Sequence, residues 1–457
     1  MNKKRSAFSG KIGYVLSAAG ASVGLGNIWR FPYLAAKYGG GIFLLVYIIL
    51  ALTFGYTMIV AESALGRMTR KSPVGAFRSF AKGKKVGWLS FGGWINAIIP
   101  VLIVPYYSVI GGWVVKYLFE YIRGNGSKLA EDGYFSGFIS NGGATEICFV
   151  IFCMFTLVII YAGVQNGIER VSKIMMPILI VLSVIIAIYS VTRPGAIEGV
   201  KYFLVPNVKN FSWMTVVAAM GQMFYSLSIA MGILVTFGSY MRKDTSIEDS
   251  TRNVEIFDTA IAMMAGLMII PAVFAFSGGD PDTLQAGPSL MFITIPKVLA
   301  NMGFGTAVGI LFFVLVLFAA VTSSIALTES AVSTFEDELG WGRKKATVLT
   351  GVIMIALGTL SCLGYGPLDF VKIIGMQFLD FFDFLTNSVM MPIAALMTSL
   401  LVSRVIGVDK IEEEIRHGES AFRRKKIFVV MIKYLCPIFA LIILASSVAN
   451  AFGWIAM

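Results

Sequence analysis

A single histidine, four cysteines and few charges set the first limits on this chain. His417 stands in a basic stretch, and Cys148, Cys153, Cys362 and Cys436 all fall inside apolar runs. No His/Cys cluster is available for a metal and no Ser-His-Asp set for hydrolysis. A disulfide framework is not expected either, so the thiols read as small apolar packing groups. Only 14% of the residues are charged. The net charge of +11 would suit nucleic acid, but its distribution argues against that partner.

What the chain does have is hydrophobic length. Of 457 residues, 57% are hydrophobic, and they fall into runs of about 20, the length that crosses a bilayer. Eleven spans are predicted, at 11–36, 41–66, 86–122, 145–163, 168–192, 212–240, 254–277, 302–335, 344–363, 373–403 and 428–455. With the N-terminus in the cytoplasm, 26 of the 37 Lys and Arg lie on that side, which is the positive-inside pattern. The expectation is an all-α polytopic protein of the cell membrane, one transporter domain over 1–457, with the C-terminus outside. A cleavable signal is not expected, because the first apolar run extends well past a short h-region.

Two spans are interrupted. The first carries Gly20-Ala21-Ser22-Val23-Gly24-Leu25-Gly26-Asn27, and the sixth carries Ser226-Leu227-Ser228-Ile229-Ala230-Met231-Gly232. In hydrocarbon every backbone polar group needs a partner, so an opened helix survives only where it faces protein, water or a ligand. These spans begin two blocks of five. Because five is odd, the blocks are inverted, 11–192 against 212–403, with 428–455 added. Matching breaks in inverted halves point to a site near the bilayer midplane. At the start of the fifth span, Gly167 and Pro177 suit either a gate that unwinds or a plain kinked end. Residues 278–300, with Gly278-Gly279-Asp280-Pro281 and Gly287-Pro288, are expected as an external loop able to act as a lid.

Gly20 through Pro32 closely resembles the neurotransmitter:sodium symporter family, including its bacterial amino acid transporters of the leucine-transporter type. Further matches are Pro105-Tyr106-Tyr107, Gly221 through Ser228, Thr322-Ser323-Ser324 and Phe335-Glu336-Asp337-Glu338-Leu339. The usual twelfth span is missing. The resemblance implies a leucine-transporter-like fold, a 5+5 inverted repeat with discontinuous helices 1 and 6 plus an eleventh helix. It also implies two sodium ions carried with the substrate. The first ion would use the carbonyl region of Ala21 and Ser22, the Asn27 side chain, Ser226 and Asp258 on the seventh span. Asp258 is costly inside a membrane unless it has a partner; the alternative is a solvated acid near a helix end. If it reaches the site, its charge replaces the chloride that animal members need, so no chloride is expected.

The second ion would use carbonyls of Gly20, Val23 and Ala319 with hydroxyls of Thr322 and Ser323, hydroxyls that otherwise read as helix packing. Amides near Leu25 and Gly26, with Tyr107, suit a substrate carboxylate, and carbonyls around Tyr225 and Ser228 suit an ammonium. Carriers of amines in this family have an aspartate where Gly24 stands, so Gly24 implies a substrate that brings its own carboxylate. Ile103, Phe224, Tyr225, Met231, Ser323 and Leu327 would line a pocket for a hydrophobic or aromatic side chain. Arg30 with Asp383, and Arg5 with Asp337 beside Tyr240 and Phe8, are implied as gates. An enzyme is not expected. The alternatives are a carrier of an osmolyte or other small carboxylate and, less well supported, a channel or sensor; no nucleic acid or obligate protein partner is implied.

Overall fold

A computed structural model describes residues 6–81, 87–278 and 287–454, and these are helical almost throughout. Among the described residues nine helices are long and apolar enough to cross a membrane without interruption: Gly41–Thr69, Gly87–Ile122, Gly142–Tyr161, Val164–Val191, Ile247–Ser277, Gly305–Leu339, Arg343–Leu363, Phe378–Ile406 and Lys425–Ala451. The other two expected spans are the broken ones. The first is Lys11–Ser22 followed by Gly26–Arg30 and Phe31–Lys37, and the sixth is Trp213–Ser226 followed by Ile233–Tyr240.

The first break is narrower than expected. Val23 turns to extended backbone, with ψ 94°, and the chain is helical again from Leu25 onward. The sixth break matches its expected extent and contains three left-handed residues, Ser228, Ala230 and Gly232. For two residues with side chains this conformation costs about 1–3 kcal/mol each. A buried acid supports it: Glu62 of the second span accepts the Ala230 N–H at 2.9 Å. The second span and the inner half of the sixth lie with their backbones nearly touching. A Cβ on Gly66 would fall 2.0 Å from the Val235 carbonyl oxygen, so no side chain fits between them there.

Exposed apolar residues such as Val158, Val181 and Val352 lie along the spans, as a lipid-facing surface requires. One expectation needs correction. Residues 290–300 are not a polar loop but the helical turns Leu290–Thr294 and Ile295–Ala300, with Leu290, Phe292, Ile295 and Val298 buried; their apolar side chains pack inward beneath the end of the eighth span. Gly279, Asp280 and Pro281 lie outside the described residues. The Gly167 end of the fifth span is wound, as a wide turn Val164–Glu169 running into Arg170–Val191.

Candidate functional site

Asp258 is fully buried, and it is not solvated at a helix end. One carboxylate oxygen accepts from the Asn27 amide at 2.8 Å and the Ser226 hydroxyl at 2.7 Å. The other accepts from the Tyr47 hydroxyl at 2.6 Å. Three neutral donors from the first, second and sixth spans thus hold one carboxylate beside both breaks. The Asn27 amide also reaches Ser226 at 2.9 Å, and its carbonyl accepts the Gly24 N–H at 3.1 Å.

A second oxygen cluster forms around Ser323. Its hydroxyl lies 3.3 Å from the Gly20 carbonyl, 3.2 Å from that of Ala21 and 3.3 Å from that of Val23. A hydroxyl has one hydrogen to give, so it serves at most one of the three carbonyls, and together they make an oxygen set suited to a hard cation. Thr322 adds a hydroxyl close by, bonded to the carbonyls of Phe318 at 3.0 Å and Ala319 at 3.1 Å. Among the described residues no group of three or more His, Cys, Asp or Glu could hold a metal ion.

Between these clusters lies a small cavity of about 30 Å³. The first span contributes Ser22, Gly24, Leu25 and Gly26 to its wall; the third and eighth contribute Ile103, Tyr107, Ser323 and Leu327; the sixth contributes Tyr225, Ser226, Ser228 and Met231. Tyr107 accepts the Leu25 N–H at 3.3 Å, and Ser228 donates to the Ala21 carbonyl at 3.0 Å. The two glycines are sterically required. A Cβ on Gly24 would stand 2.7 Å from the Ser323 hydroxyl and 3.2 Å from that of Tyr107, and one on Gly26 would stand 2.6 Å from the Tyr225 ring.

Some expected residues are placed otherwise. Phe224 does not line the cavity: one helical step from Tyr225, it faces away and stacks on Phe54 at 5.7 Å. The Ser22 hydroxyl turns back to the Ala18 carbonyl at 3.1 Å, which leaves only its backbone facing the site. Arg30 and Asp383 line the same vestibule, about 350 Å³, on the face opposite the N-terminus. They form no direct ion pair among the described residues. Arg30 instead lies over the Tyr225 ring at 5.5 Å, and Asp383 accepts from Tyr106 at 3.1 Å and Asn387 at 2.5 Å. Tyr225 walls both spaces and separates them.

On the N-terminal face the way is packed shut. Phe8 meets Tyr14, Phe237 and Tyr240 edge-on at 5.6–6.0 Å. The Tyr240 hydroxyl donates to Glu329 at 2.7 Å, and Glu329 also binds Arg343. Asp337 accepts the Ser72 N–H at 2.6 Å, and Arg5 lies outside the described residues. Three residues that matter here escaped the reading of the sequence: Tyr47, Glu62 and Gln222, whose amide donates to the Gly26 carbonyl at 3.1 Å. Glu62 had a signal, being the one acid in the apolar run Gly41–Thr69.

Comparison with known proteins decides the family. The sodium:neurotransmitter symporter family model matches residues 5–127 and 134–453. The chain belongs to that family. A protein of Bacillus subtilis (strain 168), named an uncharacterized sodium-dependent transporter, is 36% identical over 91% of this chain and 91% of its own length. A protein of Haemophilus influenzae with the same description is 32% identical over 98% of this chain and 99% of its own. Among solved structures, MhsT in complex with L-phenylalanine is 36% identical, with a TM-score of 0.86, covering 97% of this chain and all of that one. The fold is the inverted-repeat leucine-transporter type, and the protein is a sodium-dependent membrane transporter of that symporter family.

Proposed function

We propose that the protein is a symporter that carries an amino acid with a hydrophobic or aromatic side chain together with two sodium ions, by alternating access and without chloride. The observation that carries this reading is the pairing of the two oxygen clusters across one small cavity. Sodium needs about five or six oxygens. The Asp258–Asn27–Ser226 cluster, with backbone from the Ala21–Ser22 turn, supplies one set, and the Gly20–Val23–Ser323 cluster, with Ala319 and Thr322, supplies the other. The carboxylate of Asp258 supplies the negative charge that a chloride would otherwise provide.

The substrate carboxylate would meet the Leu25 and Gly26 end of the outer half-helix and the Tyr107 hydroxyl, beside the first ion. Gly24 leaves room there and adds no charge of its own. Ile103, Met231 and Leu327 then offer an apolar wall for the side chain, and a solved relative bound to L-phenylalanine supports that class. Ion and substrate share a boundary, so each improves the site of the other. The repeats 11–192 and 212–403 together would enclose this site, with 428–455 outside the core.

The positive-inside pattern puts the N-terminal face in the cytoplasm and the C-terminus outside the cell. The vestibule then opens outward, and the Phe8–Tyr240 cluster closes the inner side. Arg30 and Asp383 would meet when the outer side closes over Tyr225. The test is binding of radiolabelled phenylalanine, leucine and a small osmolyte carboxylate to the purified protein, in sodium and in potassium. Sodium-dependent binding of the first two is expected; binding of the osmolyte alone would defeat the substrate class.

A further inference from the structure

Two deeply buried charges on the N-terminal face do nothing for the cavity, and both hold the same segment. Arg67, at the end of the second span, is wholly buried. Its guanidinium binds the Glu414 carboxylate at 2.6 Å, the Glu414 backbone carbonyl, and the Thr245 carbonyl at 2.6 Å. Glu414 belongs to the short helix Val408–Arg416, within the stretch that joins the tenth span to the eleventh. Farther along that stretch, Glu248 at the start of the seventh span accepts the N–H groups of Arg423 at 2.8 Å and Arg424 at 3.1 Å, and the Tyr56 hydroxyl. Its own N–H goes to Glu419 at 2.8 Å.

The rest of the stretch follows the same direction. Arg424 lies 4.6 Å over the Tyr56 ring and pairs with Glu255 at 3.3 Å. Arg423 pairs with Asp249 at 3.2 Å, and Lys11, at the foot of the first span, reaches that same acid at 3.5 Å. Gly418 packs so closely that a Cβ there would stand 2.6 Å from the Thr245 carbonyl oxygen, and Ile411 and Ile415 are wholly buried. Every tie just named runs to the second span, to the turn before the seventh, or to the seventh itself. Breaking a buried, hydrogen-bonded ion pair is costly, so these ties outlast the weaker contacts that open around them.

We propose that Arg67 and Glu248 clamp residues 408–424 to the body formed by the second span, the inner sixth and the seventh, so that the inner ends of the tenth and eleventh spans travel with that body. The inference rests on the alternating-access reading and adds which elements move together. The tenth span also carries Asp383 at the outer vestibule, so the clamp gives the inner face a rigid connection to the outer gate. When the first span swings and Lys11 leaves Asp249, Arg423 stays on that acid.

Hydrogen exchange on the full chain in lipid nanodiscs, in sodium against potassium, tests the clamp. Peptides within 408–424 are expected to keep their protection in both salts, while peptides within 7–14 exchange faster in potassium. Loss of protection in 408–424 together with 7–14 would overturn the clamp. Unchanged exchange in 7–14 would count instead against an inner face that opens, which is the function reading. A second arm needs no such motion. Glu414→Gln is expected to speed exchange in 408–424 by about tenfold, whereas Glu412→Gln leaves it unchanged, because Glu412 pairs with Arg416 and with Lys425 at the start of the eleventh span, and not with the second or seventh span. No effect of Glu414→Gln, or equal effects of the two, would overturn the proposal.

Discussion

The oxygen cluster around Asp258 holds a full negative charge, and the one around Ser323 holds none. Both touch the break in the first span, yet they are built from different materials. The charged cluster draws on the second, sixth and seventh spans through Tyr47, Ser226 and Asp258. The neutral one joins carbonyls of the first span to two hydroxyls of the eighth. A cation beside Asp258 is neutralised where it sits and lies next to the substrate wall. A cation beside Ser323 ties the broken helix to an intact one through neutral oxygens, which bind less tightly and let go more easily. On the proposed reading the labour would be divided: the first cluster would couple sodium to substrate, and the second would couple sodium to the closure of the inner face.

Asp258→Asn should break this contrast most severely. It keeps the shape and removes the charge, and uncovering a buried cation of its partner costs about 3 kcal/mol, or about a hundredfold in half-saturating sodium. Uptake measured against sodium concentration checks it. Gly24→Ala comes next: the added methyl meets Ser323 and Tyr107, and overpacking of about 1–3 kcal/mol should lower substrate affinity by tenfold or so in equilibrium binding. Ser323→Ala removes one neutral oxygen, so an increase of several-fold in the sodium requirement is expected, about 1 kcal/mol, with substrate selectivity unchanged. The smallest effect should come from replacing chloride by gluconate, which is expected to leave the wild-type rate where it was.

The two breaks were legible because glycine and serine stand where an apolar helix should continue, and Asp258 because an acid in a span requires a reason. The extent of the first break was not. Gly20, Ala21 and Ser22 stay helical because their neighbours pack, and only Val23 and Gly24 leave the helix. Phe224 and Tyr225 are adjacent and both aromatic, so composition gave no way to choose which faces the cavity; packing on Phe54 decides it. Arg30 and Asp383 share a vestibule without an ion pair; on the proposed reading they would meet only when the outer side closes. Arg67 looked like one more charge of the positive-inside pattern, and only its burial against Glu414 separates it from the solvated arginines nearby.

The most direct measurement is uptake of each of the twenty amino acids into proteoliposomes holding the purified protein, driven by a sodium or a potassium gradient and repeated with gluconate in place of chloride. The account predicts saturable accumulation of hydrophobic or aromatic amino acids above their equilibrium level, only with sodium, and undiminished without chloride. Uptake that ignores the sodium gradient, or none for any amino acid under it, would contradict the account.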